Sequence, residues 1–134
     1  MELRLTGQFG AALCIRLPDS AAGAGLTADR ALTCRAELIG LGIAAKADVQ
    51  LTRAEIVSLR VALSRALESE TGYFDPHDET LEVTFRPHGN GSVGVRILLA
   101  GFDPGPYRIE YTMTVVDAEI ERLHDIVAPL VAMA

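Results

Sequence analysis

Basic residues are scarce in this chain. Only Lys46 among the twelve is a lysine, and the formal net charge is −6. A duplex-binding surface needs clustered cations to displace counterions from phosphates, and no such cluster occurs. Nucleic acid is therefore not an expected partner. An acidic surface suits a basic protein, through steering and complementarity. Cysteine is equally sparse: Cys14 and Cys34 are too few for a disulfide framework and sit at neither CxxC nor zinc spacing. They read as small buried hydrophobes. Apolar runs are short, far below the ~20 residues of a membrane span. Met1-Glu2-Leu3-Arg4 does not read as the start of a signal peptide. No membrane association and a cytoplasmic location are the resulting expectations.

Catalytic signatures are missing as well. There is no G-x-S-x-G elbow. His77, His88 and His124 stand at neither H-x-x-H nor H-E-x-x-H spacing, so a metal site would have to be assembled by the fold, with His77 beside Asp75, Asp78 and Glu79 as its best nucleus. Cys14 or Cys34 with His124 is conceivable only as a spatial pairing. Gly89-Asn90-Gly91-Ser92-Val93-Gly94 matches G-x-G-x-x-G, but a strand pattern follows it where a dinucleotide turn requires a helix. It reads as a hairpin. Gly23 to Ala28 is a weaker G-x-G-x-x-A, for which Asp48 would be the ribose acceptor. No cofactor is expected.

What the chain does have is alternation. Its 134 residues fit one domain, 1–134, and a 49% apolar content supports a real core. Leu81-Glu82-Val83-Thr84-Phe85, Val93-Gly94-Val95-Arg96-Ile97 and Tyr107-Arg108-Ile109-Glu110-Tyr111 alternate apolar with polar, as strands with one buried face do. Pro87 to Gly91 supplies turn residues between the first two. Leu3 to Phe9 and Leu13 to Leu17 predict two short opening strands, followed by a loop over Pro18 to Gly25. Residues 31–49 read as two more strands around Gly40 and Gly42, although helix formers at Leu32, Ala36 and Ile39 leave residues 27–39 open between strand and helix.

Leu51 to Glu68 is the clearest helix. Thr52 and Glu55 form a T-x-x-E capping box, flanked by a Leu51/Ile56 staple. Ile56, Leu59, Leu63 and Leu67 form its apolar stripe, with Arg53, Arg60 and Glu68 opposite. Asp117 caps a final helix whose inner stripe is Ile120, Leu123, Val127, Leu130 and Val131. No internal repeat is evident. The predicted fold is α+β: a single antiparallel, meander-rich β-sheet with both helices packed on one face.

Between helix and meander, Glu68 to Glu82 holds six carboxylates and no basic residue. Tyr73, Phe74 and His77 are embedded among them. Aromatic rings supply desolvated contact area and carboxylates supply steering, so Glu70, Tyr73, Phe74, Asp75, His77, Asp78 and Glu79 are the candidate partner-binding residues. The competing reading tucks both rings under the helix end.

The order of these elements also resembles a known family. Leu51-Thr52-Arg53-Ala54-Glu55 opens a helix after an extended region, the three alternating segments follow, and Val116-Asp117 opens the last helix. From about Thr33 onward the chain is similar to small bacterial immunity proteins of the WapI type. That resemblance implies a non-catalytic protein that neutralises a cognate toxin, with a basic toxin domain as partner. The expectation is thus a non-enzymatic protein-binding module. The alternatives are a small enzyme or ligand-binding domain, with a site between sheet and helices, and a homodimer formed through a sheet edge.

Overall fold

The computed structural model describes residues 1–18, 31–102 and 105–132. The loop expected from Pro18 to Gly25 and the G-x-G-x-x-A at Gly23 to Ala28 lie essentially outside them. The element order is β1 (Glu2–Thr6), a 3-10 turn (Gln8–Gly10), β2 (Ala12–Arg16), β3 (Leu32–Gly40), β4 (Ile43–Leu51), α1 (Arg53–Leu67), β5 (Gly72–Phe74), β6 (Leu81–Pro87), β7 (Ser92–Gly101), β8 (Tyr107–Val116) and α2 (Asp117–Ala132). Among the described residues four strands and a helix thus occur twice in succession.

The fold is α+β and antiparallel, but it contains two sheets and not one. β1-β2-β3-β4 form the first, β5-β6-β7-β8 the second. Alternation reports which face of a strand is buried and says nothing of which strands are neighbours. The break falls at α1, which carries the chain from β4 to β5. The helices do not share one face of one sheet either. α1 packs on β5 and β6, α2 packs on β1, and the two helices pack on each other. The apolar faces of both sheets and both helices meet in one core, from Leu3, Leu38 and Val49 to Phe85, Ile97, Leu63 and Val127.

Residues 32–51 form a plain hairpin, with Leu32 opposite Leu51 and Gly40 opposite Ile43. Gly42 takes φ +73° in its turn, a left-handed conformation that glycine adopts without penalty. The strand alternative at residues 32–39 therefore prevails over the helix. At the β6–β7 hairpin, Gly89 and Gly91 both have positive φ, and His88 N–H donates to the Ser92 carbonyl at 3.0 Å. The G-x-G-x-x-G there is a turn.

α1 starts at the expected cap: Glu55 Oε1 accepts from Thr52 N–H at 3.0 Å. Two residues depart from the predicted helix faces. Leu67 is 39% exposed, and the buried stripe runs through Ile56, Leu59, Ala62, Leu63 and Ala66. Arg53 turns inward to donate to the Val131 carbonyl, closing the end of α2. β5 is the element that the sequence concealed, three residues set among carboxylates. It can lie against α1 because Gly72 has no side chain where the Ala62 carbonyl passes.

Candidate functional site

The acidic segment is pinned at two points. Glu55, buried on α1, uses Oε2 to accept the backbone N–H of His77 at 2.9 Å. Asp78 Oδ2 accepts the N–H of Gln50 on β4 at 2.7 Å. Glu79 takes φ +60°, unusual for a side-chain-bearing residue, and its N–H donates to the Pro76 carbonyl at 3.2 Å. The segment is a tethered turn leading into β6.

The candidate residues part company there. Phe74 is 1% exposed and belongs to the core, opposite Val83, whereas Tyr73, one residue earlier on the other face of β5, is 65% exposed. Neighbours on a strand face opposite ways, so of the two rings expected to tuck under the helix end only Phe74 does, and Tyr73 stays at the surface. Glu70 is exposed at the end of α1, 4.0 Å from Arg65. Asp75, His77, Asp78 and Glu79 are exposed. Among the described residues no group of three or more His, Cys, Asp and Glu is placed to hold a metal ion.

Two depressions flank the turn. The smaller, about 280 Å³, is bounded by Asp75, Glu79, Thr80, Glu82, Ala100 and Arg108. The larger is an open groove of about 870 Å³ between β4 and the β7–β8 end. Arg35, Lys46, Asp48 and Asp78 stand along it with Ala44, Ala47, Phe102, Tyr107 and Ile109. Thr80 and Ala100 border both, joined by a 2.8 Å bond from Ala100 N–H to the Thr80 carbonyl. The Tyr107 hydroxyl donates to the Lys46 carbonyl across the groove. Phe102 is 84% exposed. Phe102 and Tyr107 escaped the sequence reading, although an aromatic in the glycine- and proline-rich stretch Gly101-Phe102-Asp103-Pro104-Gly105 was a usable signal. Between sheets and helices the packing is tight: a void there of about 20 Å³ is lined by Leu5, Leu59, Phe85 and Leu123.

Charge is distributed unevenly. On the solvent face of the first sheet, Glu2 lies near Arg4 and Arg16, Arg35 near Asp48, and Lys46 near Glu37. On the second, Arg96 holds Glu110 at 2.6 Å, and this hydrogen bond and charge lower the Glu110 carboxyl below its ordinary pKa. Among the described residues Asp75, Asp78, Glu79 and Glu82 have no such ion pair, so the turn keeps its negative charge.

Both thiols are buried and unbridged. Burial, with the Glu55 charge behind it, pushes Cys34 up to about 11, and burial likewise raises Cys14. A nucleophilic cysteine needs the opposite shift. His124 instead meets Ser64, with Nε2 2.9 Å from Oγ, while its Nδ1 is 3.8 Å from Asp125. This pair lies where α1 and α2 pack together, and neither depression reaches it.

No family model matches the chain, and no curated protein matches it. Its fold is similar to that in the structure of the plant transcriptional regulator PBF-2, with a TM-score of 0.53 at 14% identity, over 99% of this chain and 80% of that one. At that identity the likeness concerns the fold alone.

Proposed function

We propose that the chain is a non-enzymatic protein-binding module, and that it binds a basic partner at the turn Asp75–Glu79 and in the groove beside it. One observation carries this reading: Asp78, which has no ion pair among the described residues, stands on an open groove that presents an 84% exposed phenylalanine, Phe102, and Asp75, Glu79 and Glu82 line the depression beside it. An exposed aromatic beside uncompensated charge is the arrangement that interfaces use, the ring for desolvated contact and the charge for encounter. The immunity-type role implied by the sequence resemblance, with a basic toxin domain as partner, belongs to this class. A regulatory role like that of PBF-2 is not carried over.

The test uses the full chain, immobilised, with extract of the native host. Proteins retained by the wild type should be lost with Phe102→Ala. They should also be weakened by Asp75→Lys combined with Glu79→Lys, most strongly at low salt. Equal retention by all three forms would remove the surface from consideration.

A further inference from the structure

Each sheet has two edge strands, and unpaired edges are liabilities that proteins ordinarily cover. Two of the four are covered here and a third is very short. On β1, the Thr6 N–H donates to Glu119 at 3.3 Å and the Arg4 carbonyl accepts from Arg122, both from α2. On β4, the Gln50 N–H is held by Asp78 and the Lys46 carbonyl by Tyr107. β5 is only three residues long, a length that itself blunts an edge, and α1 packs on its face. The fourth edge, β8, spans 10 residues. Among the described residues, no side chain or neighbouring backbone bonds to its outer side.

The groups it presents can be identified. β8 pairs with β7 in one unbroken register, Ser92 opposite Val116 through Gly101 opposite Tyr107. Just beyond, the Asp117 N–H donates to the Gly91 carbonyl at 2.9 Å. Antiparallel partners exchange bonds at alternate residues, so odd-numbered residues of β8 bond to β7. Arg108, Glu110, Thr112 and Thr114 turn their N–H and C=O outward.

We infer that β8 is a homodimer interface, pairing antiparallel with β8 of a second copy about a two-fold axis at Ile109. The charges select this register. An axis at Arg108 or Glu110 would set like charges opposite each other, which destabilises a ladder. An axis at Ile109 sets Arg108 opposite the second copy's Glu110, and the reverse, through outward-facing backbone groups. Glu110 already holds Arg96 at 2.6 Å, whereas Arg108 has no ion pair among the described residues. Dimerisation extends this into an alternating row across the joined sheet. On the inner side, Ile109 meets its own copy and Tyr107 meets Tyr111. All three are only partly buried in the single chain, as expected of residues awaiting a neighbour.

The experiment is sedimentation analysis of the full purified chain over a concentration series, with circular dichroism confirming the fold of each variant. The wild type should show a reversible monomer–dimer equilibrium. Arg108→Glu places like charges at two contacts and should weaken it by about ten-fold or more. Thr112→Pro, which removes an outward N–H that β7 does not use, here facing the second copy's Pro106 at the end of the joined ladder, should weaken it less. Arg96→Glu, Arg108→Glu and Glu110→Arg together invert the whole row and should restore affinity to within a few-fold. A wild type monomeric up to about 1 mM, the weak end of specific association, overturns the proposal. So does a dimer indifferent to Arg108→Glu and Thr112→Pro. Because only the purified chain is used, either result leaves the reading of the acidic turn and groove unaffected.

Discussion

Glu55 and His77 are 22 residues apart in sequence and 2.9 Å apart in space, carboxylate oxygen to backbone nitrogen. The same carboxylate caps α1 through Thr52. One buried side chain therefore starts the first helix and fixes the acidic turn to it. Glu55→Ala removes both bonds and leaves two partly buried donors unsatisfied, at a cost of about 2 kcal/mol. Urea denaturation measures that loss, and faster hydrogen exchange at His77 would show the turn coming away. Unchanged exchange there would mean that the turn is held by something else.

Gly72 makes a sharper case. A Cβ at that position would stand 2.8 Å from the Ala62 carbonyl carbon and closer still to its oxygen. Backbone cannot yield as a flexible side chain can, so Gly72→Ala should cost more than about 2 kcal/mol by separating β5 from α1. At Gly42, where a Cβ would meet nothing, alanine should cost less, since only the φ of +73° opposes it. The two melting temperatures settle the order.

Acid should loosen the contact between α2 and β1. The hydrogen bond from Arg122, aided by the Thr6 N–H, lowers the Glu119 carboxyl below its ordinary 4.5. A lowered folded value contributes stability above the unfolded pKa, and that stability is lost as pH falls through the folded one. Stability should thus decline below about pH 4.5, and Glu119→Gln should flatten part of that decline. Glu110, lowered by Arg96, acts in the same direction. Parallel acid titrations of wild type and variant that coincide would contradict the assignment.

Cys34 should be inert in the folded chain. It is 1% exposed, with its thiol pushed up to about 11, so little thiolate exists at neutral pH and reagent cannot reach it. Alkylation followed by mass spectrometry should label it only after unfolding. Rapid labelling under native conditions would reveal local opening of β3.

Much of this fold is written in periodicity. The three alternating segments became β6, β7 and β8, the capping box began α1, and the glycine-rich turn became a hairpin. The number of sheets escaped because it depends on which strands are adjacent, and Leu81 or Leu32 carries no mark of its neighbour's identity. β5 escaped because Gly72, Tyr73 and Phe74 are too few to establish a period. The acidic segment was visible from composition, but its tethers were not: Asp78 to Gln50 and Glu55 to His77 are long-range bonds made by residue types that also suit a solvated loop. Phe102 carries only a compositional signal, an aromatic among turn residues, and no periodicity that places it on the groove.

The crossed placement of the helices has a further consequence. α1 ends the first run of four strands yet rests on β5 and β6, and α2 ends the second run yet covers the edge of β1. Cleavage in the turn at Ser69–Thr71 would leave each fragment with a helix shaped for the other's sheet. Either piece alone would expose its share of the common core, while the two mixed should reconstitute the native molecule without the peptide bond. The two halves are separable in the order of their elements and interdependent in their folding.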